Sequence, residues 1–150
     1  MSDTTEILTE QIETVVILTE SAQGPMGPAG GGASAPYQIT ASEALAAGDY
    51  VNIWSSSGAK VRKANATTEG KEAMGFVLAA VLNGGSATVY PSGMNTAVTA
   101  QVPGRVFLST TAGQGASTPP ATAGNSVQSI GTAVSATVVN VNFGQPIILA

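Results

Sequence analysis

The chain has 150 residues, of which 9% are charged and 5% aromatic; it contains no Cys and no His and carries a net charge of −4. Those absences remove disulfides, thiolate chemistry and the usual zinc ligands, and the acidic balance speaks against a nucleic-acid partner. The apolar fraction of 43% leans on Ala and Val, so each side chain buries little area, and a small domain built this way is expected to gain stability by self-association.

Residues 1–23 form the first region. Before Tyr37 there are five acids (Asp3, Glu6, Glu10, Glu13 and Glu20) and no base, whereas from Tyr37 onward five bases meet four acids. The acidity therefore belongs to the N-terminal segment, and the remainder is close to neutral. The β-branched run Thr14-Val15-Val16-Ile17 favours an extended conformation; a helical stripe through Ile7, Leu8, Ile12, Val15 and Val16 is the alternative. Either way the segment is apolar with an acidic rim, suited to ordering on a partner, for instance by adding a strand to a sheet edge. Ile7, Leu8, Ile12, Val15, Val16, Ile17 and Leu18 are the expected docking residues of this arm. The acidic start does not read as a secretory signal, and the apolar stretch Val15-Val16-Ile17-Leu18 is far too short to cross a bilayer; no membrane partner is expected.

Residues 24–36 are a Gly/Pro linker. It opens with Gly24-Pro25-Met26 and Gly27-Pro28-Ala29 and continues through Gly30-Gly31-Gly32. Collagen places Gly at every third position because only Gly fits the axis of three chains. Two triplets cannot hold a triple helix unaided, so Gly24, Pro25, Gly27 and Pro28 are expected to act as a hinge, or as a short three-chain neck if the flanking regions already trimerise.

Residues 37–150 are the folded body. The spacing predicts an all-β domain, a small barrel or sandwich, with strands over 50–54, 59–63, 73–82, 87–90, 96–101, 105–109, 127–134, 137–143 and 147–149. Turn signals separate them: Ser55-Ser56-Ser57-Gly58, Asn83-Gly84-Gly85, Pro91-Ser92-Gly93, Pro103-Gly104 and the long loop 110–124. Only 41–47 reads as helical, over one short turn. The body also repeats itself, over about 48–93 and 104–144. Gly48 to Gly75 and Gly104 to Gly131 are both 27 residues apart. Ser86-Ala87-Thr88-Val89 in the first copy answers Ser135-Ala136-Thr137-Val138 in the second. Each copy reads as a strand, a turn, a second strand and a hairpin.

No constellation for catalysis emerges, so the chain is read as no enzyme, with no cofactor and no metal. No Ser or Lys sits in a recognisable nucleophile motif. The body's carboxylates, Glu43, Asp49, Glu69 and Glu72, fall beside turns or strand ends, where solvated acids are common. Gly30-Gly31-Gly32 is not followed by the Lys-Ser or Lys-Thr of a phosphate loop. The cluster Lys60, Arg62 and Lys63 is too small for a nucleic-acid surface. Trp54 reads first as a core or interface residue. With Tyr50 and Tyr90 it would supply the glycan contact of a carbohydrate-binding module.

The run Ala47-Gly48-Asp49-Tyr50-Val51-Asn52-Ile53, a Ser/Gly turn, Lys60-Val61-Arg62-Lys63 and then Met74-Gly75-Phe76-Val77 resembles the β-domain of tailed-phage capsid decoration (cement) and head-fibre proteins. The short collagen-like Gly-Pro linker between an arm and a β-domain is similar to their architecture, and the likeness extends over most of the chain. The resemblance implies a structural protein of the virion, a homotrimer on the capsid surface whose arm docks on the major capsid protein, and it brings no catalytic residue. Two features depart from the pattern: the Gly-Pro segment is short and the arm is unusually acidic. The competing reading is a receptor- or carbohydrate-binding fibre module that meets a host glycan through Tyr50, Trp54, Tyr90 and the loop 110–124, or a minor tail component.

Overall fold

The computed structural model of the protein describes residues 34–150. These residues form twelve strands, and no helix occurs among them. In chain order the strands are β1 (Tyr37–Ala41), β2 (Tyr50–Ser55), β3 (Ala59–Lys63), β4 (Gly75–Phe76), β5 (Ser86–Val89), β6 (Gly93–Asn95), β7 (Gly104–Leu108), β8 (Gly115–Ala116), β9 (Ser126–Val127), β10 (Ser129–Ser135), β11 (Val138–Val141) and β12 (Ile147–Ile148).

The first sheet has the order β4-β2-β3-β1-β5. β2 and β3 form an antiparallel hairpin with Ile53 opposite Val61, closed through Ser57 and Gly58, both at positive φ. β1 lies between β3, to which it is parallel, and β5, to which it is antiparallel. The two outer strands meet as well. Phe76 N donates to Tyr90 O at 3.0 Å and Tyr90 N donates to Phe76 O at 2.9 Å, so the sheet curls round and closes on itself. This one bridge joins the two outer strands at Phe76 and Tyr90, while the outer edge of β5 stays unpaired along Ser86–Val89 among the described residues. The interior is filled by Ala41, Leu45, Val51, Val61, Val77, Ala87 and Val89, small and β-branched side chains that suit a tight curl.

The second sheet has the order β6-β11-β10-β7-β8. Its inner face (Val106, Leu108, Ile130, Ala133, Val139 and Val141) packs with Tyr50 and Phe76 of the first sheet in one shared core. Alternation along β2 explains how this works. Val51 points into the curled sheet while Tyr50 points out of it, toward the second sheet, and both are fully buried. β9 and β12 pair as a separate two-stranded ribbon.

The pairing pattern recurs in the two halves. β2 is flanked by its hairpin partner β3 and by β4; β7 is flanked by β8 and by β10. Gly75 and Gly131 occupy matching places. A Cβ on Gly75 would run into the Val89 side chain, and one on Gly131 into the Asn140 carbonyl oxygen. Each glycine lets the closing strand of its half come close.

Several predicted elements differ from those observed. The strand expected over 73–82 is only β4. Val77 keeps backbone bonds to Asp49 O (3.0 Å) and from Gly48 N (2.8 Å), and beyond it the chain pairs again only at the isolated bridge of Val81 with Leu45. The strand expected over 96–101 lies earlier, at β6. It ends where Asn95 turns its side chain inward, donating from Nδ2 to Gly48 O at 2.9 Å and accepting from Ala97 N at 3.2 Å. The helical turn expected over 41–47 is instead the end of β1 followed by bends and the Leu45 bridge. β1 and β8 were not anticipated; β8 lies inside the predicted 110–124 loop. The docking residues Ile7, Leu8, Ile12, Val15, Val16, Ile17 and Leu18, and the neck residues Gly24, Pro25, Gly27 and Pro28, lie outside the described residues.

Candidate functional site

Three aromatic residues stand in one row of the first sheet. Tyr50 pairs with Phe76 across β2 and β4, and Phe76 pairs with Tyr90 at the closure. Tyr50 is fully buried and meets the Phe143 ring edge-on at 6.4 Å, and burial pushes its phenol up to about 12. A side chain so enclosed presents nothing to a glycan, which corrects the expectation for Tyr50. The cause lies in the second sheet, which covers the outer face of β2. Tyr90 is half-buried and stacks on Phe76 at 5.4 Å with 22° between the rings.

Trp54, on the same face of β2, is also half-buried. Its indole Nε1 donates to Ser42 Oγ at 3.0 Å, and the Arg62 guanidinium lies 4.6 Å from the ring centroid, within cation–π range. Arg62 in turn donates from Nε to Asn52 Oδ1 at 2.9 Å and from Nη2 to Gly70 O at 2.9 Å. Asn52, itself buried, donates to Glu72 O at 2.8 Å. This is a brace that ties the 65–72 segment to the β2–β3 hairpin, with one face of Trp54 occupied by Arg62. Lys63 Nζ is 3.5 Å from Asp49 Oδ2, so two of the three bases in the cluster have structural partners.

Three of the four carboxylates, Asp49, Glu43 and Glu72, have partners as well. Asp49 is buried, against the expectation of a solvated acid. Its Oδ2 accepts from Ala46 N at 2.8 Å, and Gly113 packs so closely that a Cβ there would lie 2.6 Å from Oδ1. Loss of solvation raises its pKa above the ordinary value, opposed by the Ala46 bond and the Lys63 charge. Glu43 accepts from Lys63 N at 2.8 Å, and Glu72 from Gly70 N at 3.1 Å. Among the described residues no three carboxylates gather as a metal site.

The residues that sequence reasoning missed flank Tyr90. A hollow of about 230 Å³ lies between the 78–81 segment and the outward face of β5, lined by Leu78, Ala79, Ala80, Val81, Ser86, Thr88 and Tyr90. Period-two alternation carried the signal, since Ser86, Thr88 and Tyr90 share one face while Ala87 and Val89 point inward. Tyr90 belongs to this hollow and Trp54 to the brace, so the structure does not bring the predicted aromatic trio to one exposed platform. The 110–124 loop lines a separate depression of about 200 Å³, with Ser109, Thr110, Ala116, Thr118, Pro119 and Pro120. Comparison with known protein families, with characterised proteins and with solved structures found no match to this chain.

Proposed function

We propose that the protein is a non-enzymatic structural component of a tailed-phage particle, a capsid decoration or head-fibre protein. In this reading the arm docks on the major capsid protein and the β-domain projects as a homotrimer from the virion surface. The observation that carries it is the C-terminal ribbon. β9 and β12 pair over only two residues each, and both isoleucines of β12 are solvent-facing, Ile147 at 66% and Ile148 at 42%. A two-stranded ribbon is marginal by itself, and exposed apolar side chains on a charge-poor body call for covering by another chain. Val102 and Val134, at one end of the β7–β10 ladder, add to the exposed apolar surface. If each subunit of a trimer holds one site on the shell, avidity exceeds any single contact.

The test is solution mass and binding to undecorated capsids, for the full chain and for a truncation beginning at Tyr37. Trimers in both forms with capsid binding only by the full chain are the expected result. Binding by the truncation would move the interface to the body, and a monomeric full chain that ignores capsids would leave the glycan-binding fibre module or a minor tail component in its place.

A further inference from the structure

We infer that the hollow beside Tyr90 receives a single neutral sugar ring, the terminal pyranose of a glycan, whether or not the protein sits on a capsid. Rigidity is the first ground. The Tyr90 ring is held by its near-parallel stack on Phe76 and by the reciprocal backbone bonds that close the first sheet, so this wall is preorganised. Hydrogen-bond direction is the second. Gln38 Oε1 is an acceptor only, so at 2.8 Å the Ser86 hydroxyl donates to it. Gln38 Nε2 then donates to Thr88 Oγ1 at 2.7 Å. The chain runs one way, from Ser86 to Gln38 to Thr88, and among the described residues no acceptor takes the Thr88 hydroxyl proton. Polarisation along such a chain strengthens its last donor.

The lining selects the ligand class. It has no ionisable group other than the Tyr90 phenol, and a charged ligand would lose hydration there without a counter-charge. Leu78 and Val81, with the exposed Ala79 and Ala80 at the rim, give an apolar wall for the C–H face of a sugar, and the Thr88 hydroxyl gives one of its hydroxyl groups a partner. An aliphatic protein side chain of similar size would cover that hydroxyl without satisfying it, at a cost. At about 230 Å³ the hollow is below the size that encloses a drug-sized molecule and suits one ring.

The experiment is saturation-transfer NMR on the full-length protein with methyl glycosides of neutral hexoses and N-acetylhexosamines, a methyl glucuronide, and an N-acetyl-leucine amide as the probe for a protein side chain. At least one neutral glycoside is expected to bind with Kd of about 1 mM, and the glucuronide and the leucine amide are expected not to compete with it. Thr88→Val, which keeps shape and removes the donor, is expected to weaken binding by about tenfold. Ala79→Phe, at an exposed position on the rim, is expected to abolish it. Both variants should keep the wild-type unfolding midpoint. Absence of binding by every neutral glycoside, unchanged affinity in Ala79→Phe, or preferential uptake of the leucine amide would each overturn the assignment.

Discussion

Gln128 and Ala73 are joined by two hydrogen bonds, Ala73 N donating to Oε1 at 2.8 Å and Nε2 donating to Ala73 O at 2.9 Å. Both residues are buried, and the side-chain amide stands in for the strand that the backbone at Ala73 would otherwise need.

Gln128→Ala therefore leaves a buried N–H and a buried carbonyl without partners. At about 1–3 kcal/mol for each such group, the expected loss in urea denaturation is about 2–6 kcal/mol. Gln128→Glu keeps the acceptor but faces a carboxylate toward the Ala73 carbonyl, so its loss should be large at neutral pH and shrink in acid, where the protonated form can donate. A Gln128→Ala variant as stable as the wild type would show that water satisfies Ala73 instead.

Asp49 gives a pH signature. Its pKa is raised above the ordinary value of 3.8 because burial disfavours the charged form. A raised folded value means that its stabilising contribution is full below the unfolded value and is lost as pH rises through the folded one. Asp49→Asn keeps an acceptor for Ala46 N without ionising. Urea midpoints measured from about pH 3 to pH 7 should fall with rising pH across this window more steeply in the wild type than in the variant. Superimposable pH profiles would rule out Asp49 as the source.

Gly131 and Gly58 separate crowding from backbone strain. Both have positive φ, +153° and +100°, but a Cβ at Gly58 meets nothing within 4 Å while one at Gly131 meets the Asn140 carbonyl. Gly58→Ala should cost about 1–2 kcal/mol, the left-handed penalty alone. Gly131→Ala should cost about 3 kcal/mol or more, since the β10–β11 hairpin must open to admit it. Equal thermal shifts in the two variants would show that the hairpin yields freely.

The strands that were legible in the sequence are those with local signals on both sides. β2 and β3 are fixed by Tyr50-Val51-Asn52-Ile53 and Ala59-Lys60-Val61 around a Ser/Gly turn, and β7, β10 and β11 by the repeat. β4 was overextended because Phe76, Val77, Leu78 and Val81 form an apolar run, which cannot reveal that the chain leaves the ladder after Val77. The amides were the larger loss. Asn52, Asn95 and Gln128 are buried by long-range bonds to Glu72, Gly48 and Ala73, and nothing local distinguishes them from the exposed Asn140 or Asn142. Tyr50 was misplaced for a related reason. It lies on the opposite face of β2 from Val51, and only the second sheet shows that both faces are covered. The hydroxyl row Ser86, Thr88 and Tyr90 was readable as one face of a strand, whereas the 78–81 segment opposite it was not.

The position of β1 decides how the body responds to load. As the first described strand, it is where tension from the N-terminal side would enter, and it is clamped on both flanks, parallel to β3 and antiparallel to β5. A pull along its axis would shear both ladders at once, with bonds sharing the force, instead of unzipping an edge one bond at a time. For a module held at one end, that geometry makes the anchor point the mechanically strong part of the sheet.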